Sequence, residues 1–142
     1  MMTIISSCIS NDNKKNNIIT HDIPRREGVK KGEEPILKFE TEAHDFGKVI
    51  QGEQLSFSFK FKNTGKSNLL ISKAYASCGC TIPKFAKEPV KPGDEGIIEV
   101  VFNTEGKRGF QEKNVTVIAN TQPNEKQLKI TANVYLPENQ KQ

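Results

Sequence analysis

A chain of 142 residues is the length of one ordinary domain and can bury a core without a dense set of disulfides. Its formal net charge of +4 is spread as +6 and −5 over the first 35 residues and +15 and −12 over the rest. With no cationic block and with lysines scattered along strand-like segments, the charge pattern is that of a solvated sheet surface and argues against nucleic-acid binding. No stretch approaches the roughly 18 apolar residues that a membrane-spanning helix needs.

In chain order, Met1-Met2-Thr3-Ile4 runs into Ile5-Ser6-Ser7-Cys8, two small residues directly before a cysteine. This resembles the cleavage box of a bacterial lipoprotein signal peptide, whose cysteine becomes the lipidated first residue. A secretory signal also needs a basic n-region and about 7–15 apolar residues, and Met1 to Ser7 supplies neither. Two readings follow: a truncated signal with Cys8 as the lipidation site, or Cys8 as a free thiol in a tail. The residues downstream favour the tether. Asn11 to Glu34 carries only four aliphatic residues, Ile18, Ile19, Ile23 and Val29, too few to offset chain entropy. Residues 1–35 therefore read as a lipobox-like segment and a flexible linker with an r.m.s. span of about 30 Å from Ile9 to Pro35.

From Ile36 onward the hydrophobic period is two, the signature of strands with one buried face. Ile36 to Glu40 and Ala43 to Lys48 are the first candidates. Leu55, Phe57, Phe59 and Phe61 then alternate with Ser56, Ser58, Lys60 and Lys62. Leu69 to Tyr75 follows. Ile98, Val100 and Phe102 form an alternating set that Ile97 and Val101 supplement on the other face, which predicts a central strand covered in part on both sides. Val115, Val117 and Ala119, and finally Leu128, Ile130, Ala132, Val134 and Leu136, complete about seven strands.

Turn chemistry separates these runs at Gly47 and Gly52, Asn63-Thr64-Gly65, Pro92-Gly93-Asp94, Glu105-Gly106 and Gln122-Pro123-Asn124. No sustained helical period competes. The predicted fold is all-β, an immunoglobulin-like antiparallel β-sandwich over residues 36–137, with a disordered tail at 138–142.

Several of these residues, in this order and spacing, form a recognisable pattern. Phe39 and Asp45-Phe46-Gly47-Lys48-Val49 lead through Gly52 and the Phe-rich strand to Asn63-Thr64-Gly65 and Leu69-Leu70-Ile71. Ser77-Cys78-Gly79-Cys80-Thr81, Pro89, Pro92-Gly93 and Val100-Val101-Phe102-Asn103-Thr104 follow. Over Phe39 to Leu136 the chain resembles the bacterial Domain of Unknown Function 1573 family, common in secreted and lipid-anchored proteins of Bacteroidetes-like bacteria. That family is in turn similar to major sperm protein, pilus chaperone and Hydin-type sandwiches. The resemblance implies assembly, scaffolding or protein binding rather than catalysis. Its motif residues here are Asp45, Phe46, Gly47, Cys78, Gly79, Cys80, Thr81, Pro92 and Gly93.

Cys78-Gly79-Cys80 is the strongest candidate for chemistry. In an extended segment residues i and i+2 face the same side, and Gly79 lets the chain bend between the two sulfurs. The pair reads as a disulfide, as two thiols for a soft metal such as Cu(I), or as two small buried hydrophobes. Zinc would need four ligands, and only Cys8, His21 and His44 could add to the pair; copper accepts fewer and favours thiolates. Lys73 and Lys84 are the cations nearest in sequence that could activate a thiol.

Other motifs carry less. Asp45-Phe46-Gly47 matches a kinase metal loop in letters, but a glycine-rich loop and the catalytic-loop residues are missing, so a strand-end turn with a buried Phe is expected. His44 has no Ser or Cys placed as its nucleophile and reads as an exposed histidine at a strand edge. Asn114-Val115-Thr116 has the form of a glycosylation acceptor but falls inside an alternating strand.

The expectation is a non-enzymatic interaction or structural module, envelope-associated or secreted, without a cofactor. It would offer a sheet edge or loop surface to a protein partner. The alternative is a thiol-based redox or Cu(I) site at Cys78 and Cys80.

Overall fold

The computed structural model describes residues 30–138. The lipobox-like segment, Cys8 and most of the expected linker, along with residues 139–142, lie outside the described residues.

The described chain forms eight strands: β1 (Leu37–Phe39), β2 (Ala43–Ile50), β3 (Gln54–Asn63), β4 (Ile71–Ala76), β5 (Thr81–Phe85), β6 (Glu95–Asn103), β7 (Gly109–Ala119) and β8 (Glu125–Tyr135). They make two four-stranded sheets, ordered β1-β3-β6-β5 and β2-β8-β7-β4. The inward residues of the two sheets meet in one core. Phe59, Phe61, Ile98, Val100 and Phe102 come from the first sheet, and Val115, Val117, Leu128, Ile130, Ala132 and Val134 from the second. Each is buried because its strand alternates, and burying a Val, Leu, Ile or Phe side chain contributes about 1.5–3 kcal/mol. The β3–β6 register sets the two richest strands against each other, with Leu55 opposite Phe102, Phe57 opposite Val100 and Phe59 opposite Ile98.

The all-β immunoglobulin-like sandwich is therefore the fold, with two differences of detail from the sequence reading. β2 pairs with β8 in parallel, whereas the other pairings are antiparallel. An eighth strand, β5, goes unrecognised in the sequence because it is short and Pro83 interrupts it. Proline is tolerated there because β5 lies at the edge of its sheet. β6 is internal and covered in part on both sides, as its pattern predicts: Val101 of its outward set is buried, while Ile97 stays 52% exposed.

The end of the expected linker is also held in place. Lys66 N–H donates to the Glu34 carbonyl (3.3 Å), the Ser67 hydroxyl donates to that of Glu33, and Pro35 is buried. The chain is thus tied to the domain before the predicted boundary at residue 36.

Candidate functional site

The Asp45-Phe46-Gly47 motif is a bulge in β2. The β2–β8 register shifts between Asp45 and Lys48, Gly47 adopts φ +69°, and its N–H donates to Asp45 Oδ1 at 2.8 Å. The glycine is needed for that left-handed conformation, and the aspartate satisfies the N–H that the bulge exposes. The extra residue also explains why the alternation is hard to follow here: the residue facing inward after His44 and Phe46 is Val49.

His44 does not stand exposed at the strand edge as its sequence context suggests. It is half-buried, stacked on Phe57 of the other sheet with ring centroids 3.7 Å apart and planes 8° apart, and it meets the edge of Phe46 at 4.7 Å. Aromatic contacts across the sandwich outweigh its polarity.

Pro92 and Gly93 form a turn closed by Asp94 N–H to the Lys91 carbonyl (3.0 Å), with Gly93 at φ +85°. Gly93 N–H donates to the Asn63 carbonyl at 2.8 Å, which leads to a residue whose importance the sequence reading missed. Asn63 is fully buried. Its Nδ2 donates to the carbonyls of Ser67 (2.7 Å) and Val90 (2.9 Å), and its Oδ1 accepts from the N–H groups of Gly65 (3.0 Å) and Ile36 (3.3 Å). One side chain therefore ties the entry to β1, the β3–β4 turn and the loop before β6. The available signal was positional: after Phe57, Phe59 and Phe61, the next inward place on β3 is occupied by an amide.

Cys78 and Cys80 are joined in a disulfide with Cα atoms 5.4 Å apart, so the first of the three sequence readings describes the pair. The bond sits where the chain leaves β4 of one sheet for β5 of the other. Both cysteines are half-buried, and Gly79 between them is exposed. Thr81 is buried, and its Oγ1 lies 3.9 Å from Cys78 Sγ and 3.8 Å from Cys80 Sγ. A disulfide sulfur carries no proton, so the hydroxyl is the donor. Lys84 lies on β5 and Lys73 on β4 above the Tyr75 ring (5.2 Å). Among the described residues, no group of three or more His, Cys, Asp or Glu converges as metal ligands; a Cu(I) site would concern the reduced pair.

The sheet edges, expected to receive a partner strand, are each guarded. β1 has three residues; β2 and β4 carry register shifts at Asp45/Lys48 and Ile71/Lys73. On β5, Asn103 N–H donates inward to the Cys80 carbonyl, and antiparallel alternation then turns the backbone of Thr81, Pro83 and Phe85 outward. Proline takes away the middle donor. Short edges, bulges and prolines all oppose strand addition.

An open surface with aromatic residues lies on the outer face of the second sheet. Lys48, Asn133 and Phe110 are partners across β2, β8 and β7, and Ile50 pairs with Tyr135 one step along. Phe110 is 68% exposed, Ile50 42% and Tyr135 41%; Lys48 Nζ stands 4.5 Å over the Tyr135 ring. Phe110 and Tyr135 are diagonal neighbours, about 7–8 Å apart in such a ladder.

A family model described as protein of unknown function (DUF1573) matches residues 37–134. The chain belongs to this family. No curated protein matches it. Among solved structures it is similar to a protein of unknown function from Porphyromonas gingivalis W83, with TM-score 0.65 and 15% identity over 77% of this chain and 51% of the other, about half that protein's length. It is also similar to the ASH/PapD-like domain 7 of human CEP192, with TM-score 0.57 and 9% identity over 97% of this chain and all of that domain. The YadV chaperone matches with TM-score 0.51 and 10% identity over 71% of this chain and 52% of the other. At such identities the likeness is one of fold. Among the described residues, no helix is long and apolar enough to cross a membrane.

Proposed function

We propose that this chain is a non-catalytic interaction module of the cell envelope or the secreted fraction. It would bind a protein partner through the Ile50, Phe110 and Tyr135 face of the second sheet. The observation that carries the reading is Phe110, a large apolar ring 68% exposed on a regular strand, with a second aromatic and an isoleucine beside it and Lys48 and Asn133 interleaved. Aromatic side chains dominate binding hot spots, and Tyr135, with Lys48 over its ring, adds a polar handle and a positive charge. The guarded edges point the same way, since they leave a face, not an edge, as an open surface.

The Cys78–Cys80 disulfide supports an oxidising compartment, where such bonds persist. Lipidation at Cys8 would place the domain at a membrane surface on a short tether. The PapD-like likeness adds a precedent of shape for binding modules and identifies no partner.

The test is a photocrosslinking residue at position 110, with position 58 on the other sheet as control. A protein captured from envelope extract at 110 alone, which then binds the purified domain at least about 30-fold more weakly after Phe110→Ala, supports the reading. Equal capture at both positions, or an unchanged affinity, refutes it.

A further inference from the structure

The Cys78–Cys80 disulfide is poorly placed to act as a staple. It encloses a single residue, and the backbone around it is already secured. Ser77 N–H donates to the Asn114 carbonyl (3.1 Å), Thr81 N–H to that of Cys78 (3.4 Å) and Asn103 N–H to that of Cys80 (2.9 Å). The β5–β6 ladder then holds Thr81 to Phe85. A bridge closing so short a loop removes little entropy from the unfolded chain.

Its surroundings suit a reacting bond. A hollow of about 210 Å³ beside Cys80 is lined by Gln54, Ile82, Val101, Glu105 and Lys107 among others. Ile82 is exposed and Val101 buried on this outer face of the first sheet, so the hollow has an apolar wall and a polar rim of both charge signs. On the core side, the buried Thr81 hydroxyl meets, among the described residues, only the two sulfurs. A buried hydroxyl is seldom left without a partner, and a hydrogen bond donated to sulfur strengthens when the sulfur becomes a thiolate.

We propose that Cys78–Cys80 is a thiol–disulfide exchange site that oxidises a pair of thiols on an extended protein segment seated in this hollow. This reading is independent of the Phe110 face. A substrate thiolate enters beside Ile82 and attacks Cys80 Sγ; the S–S bond breaks, and its electron pair leaves on Cys78 Sγ. The Thr81 hydroxyl donates to that thiolate, which then takes the proton released by the attacking thiol. The segment's second thiol, losing its proton, attacks the mixed disulfide at its own first sulfur and displaces Cys80 as a thiolate, which takes up that proton. The substrate leaves oxidised by two electrons, and Cys78 and Cys80 are left as two thiols. Thr81 is a positioning residue in this scheme.

The experiment uses the full chain with Cys8→Ser, so that the pair alone reports. A reduced synthetic peptide with two cysteines separated by two residues is the probe, and oxidation is followed by mass. The folded protein should oxidise the peptide with one-to-one stoichiometry. A peptide disulfide offered to the Cys78→Ser variant should be trapped on Cys80, while the Cys80→Ser variant should trap several-fold less on Cys78. Thr81→Val should slow exchange about tenfold, the worth of one hydrogen bond to developing charge, and Thr81→Ser should restore it. Exchange that appears only in denaturant, trapping confined to Cys78, or a Thr81→Val rate equal to the parent's would overturn the proposal.

Discussion

Asn63 and the Cys78–Cys80 pair both stand where the chain passes from one sheet to the other, yet they secure it by opposite means. At Asn63 a fully buried amide makes four hydrogen bonds to three separate segments. At Cys78–Cys80 a covalent bond links residues that the chain already keeps adjacent. The noncovalent junction closes long loops and the covalent one closes almost none, so the order of their contributions to stability should be the reverse of their bond strengths.

Replacement of the amide tests this most severely. Asn63→Leu keeps the branched shape but orphans the Ser67 carbonyl and the N–H groups of Gly65 and Ile36, while the Val90 carbonyl retains its bond from Leu69 N–H. At about 1–3 kcal/mol for each unsatisfied group, with partial rescue by relaxation, the loss should be roughly 3–5 kcal/mol. That is a large part of the 5–15 kcal/mol or so that stabilises a typical domain. Urea unfolding followed by tyrosine fluorescence would measure it, and a loss below about 1 kcal/mol would show that the junction is not what joins these segments. Gly65→Ala strikes the same junction from outside. Its new Cβ would press on the Glu34 carbonyl and lie 2.6 Å from Ile36 N, backbone atoms that cannot swing away. An overpacking cost of about 1–3 kcal/mol is expected, without loss of the fold.

The disulfide should matter less. With the bridge spanning two positions, loop-closure entropy gives only about 1.5 kcal/mol, against about 3 for a fifteen-residue loop. Cys78→Ala/Cys80→Ala should therefore lower the urea midpoint slightly and leave the slope unchanged. A loss as large as that of Asn63→Leu would make the bridge a structural staple and reverse the contrast.

The same two places show what was legible in the sequence. Strands with a strict alternation, such as Leu55 to Phe61 and Leu128 to Val134, could be read because one buried face imposes period two. β5 could not, since edge pairing in a five-residue strand tolerates Pro83 and leaves a pattern too short to recognise. Asn63, Thr81 and Thr104 are polar residues at buried positions, and period and turn chemistry rank them as punctuation. Their importance lies in which carbonyls and sulfurs the fold brings to them, as when the Thr104 hydroxyl reaches the Glu53 carbonyl at 2.6 Å. The Cys78-Gly79-Cys80 motif was visible by its letters, but its bonding, the Thr81 hydroxyl and the adjoining hollow arise from tertiary placement. His44 was misjudged because its stacking partner, Phe57, belongs to the opposite sheet.

The smallest expected effect on stability belongs to the proposed binding face, and its smallness is informative. Phe110 is mostly exposed in the free domain, so Phe110→Ala removes little buried area and should change stability by no more than about 0.5 kcal/mol. Lys48→Gln should cost a similar amount, because the cation over Tyr135 is solvent-facing and such contacts contribute about 0.5–1 kcal/mol at exposed sites. A ring that contributes almost nothing to the fold is free to serve the proposed partner without cost to the domain. If Phe110→Ala instead destabilised the domain by about 2 kcal/mol, the ring would be part of the fold in solution, and the case for a partner on that face would lose its central observation.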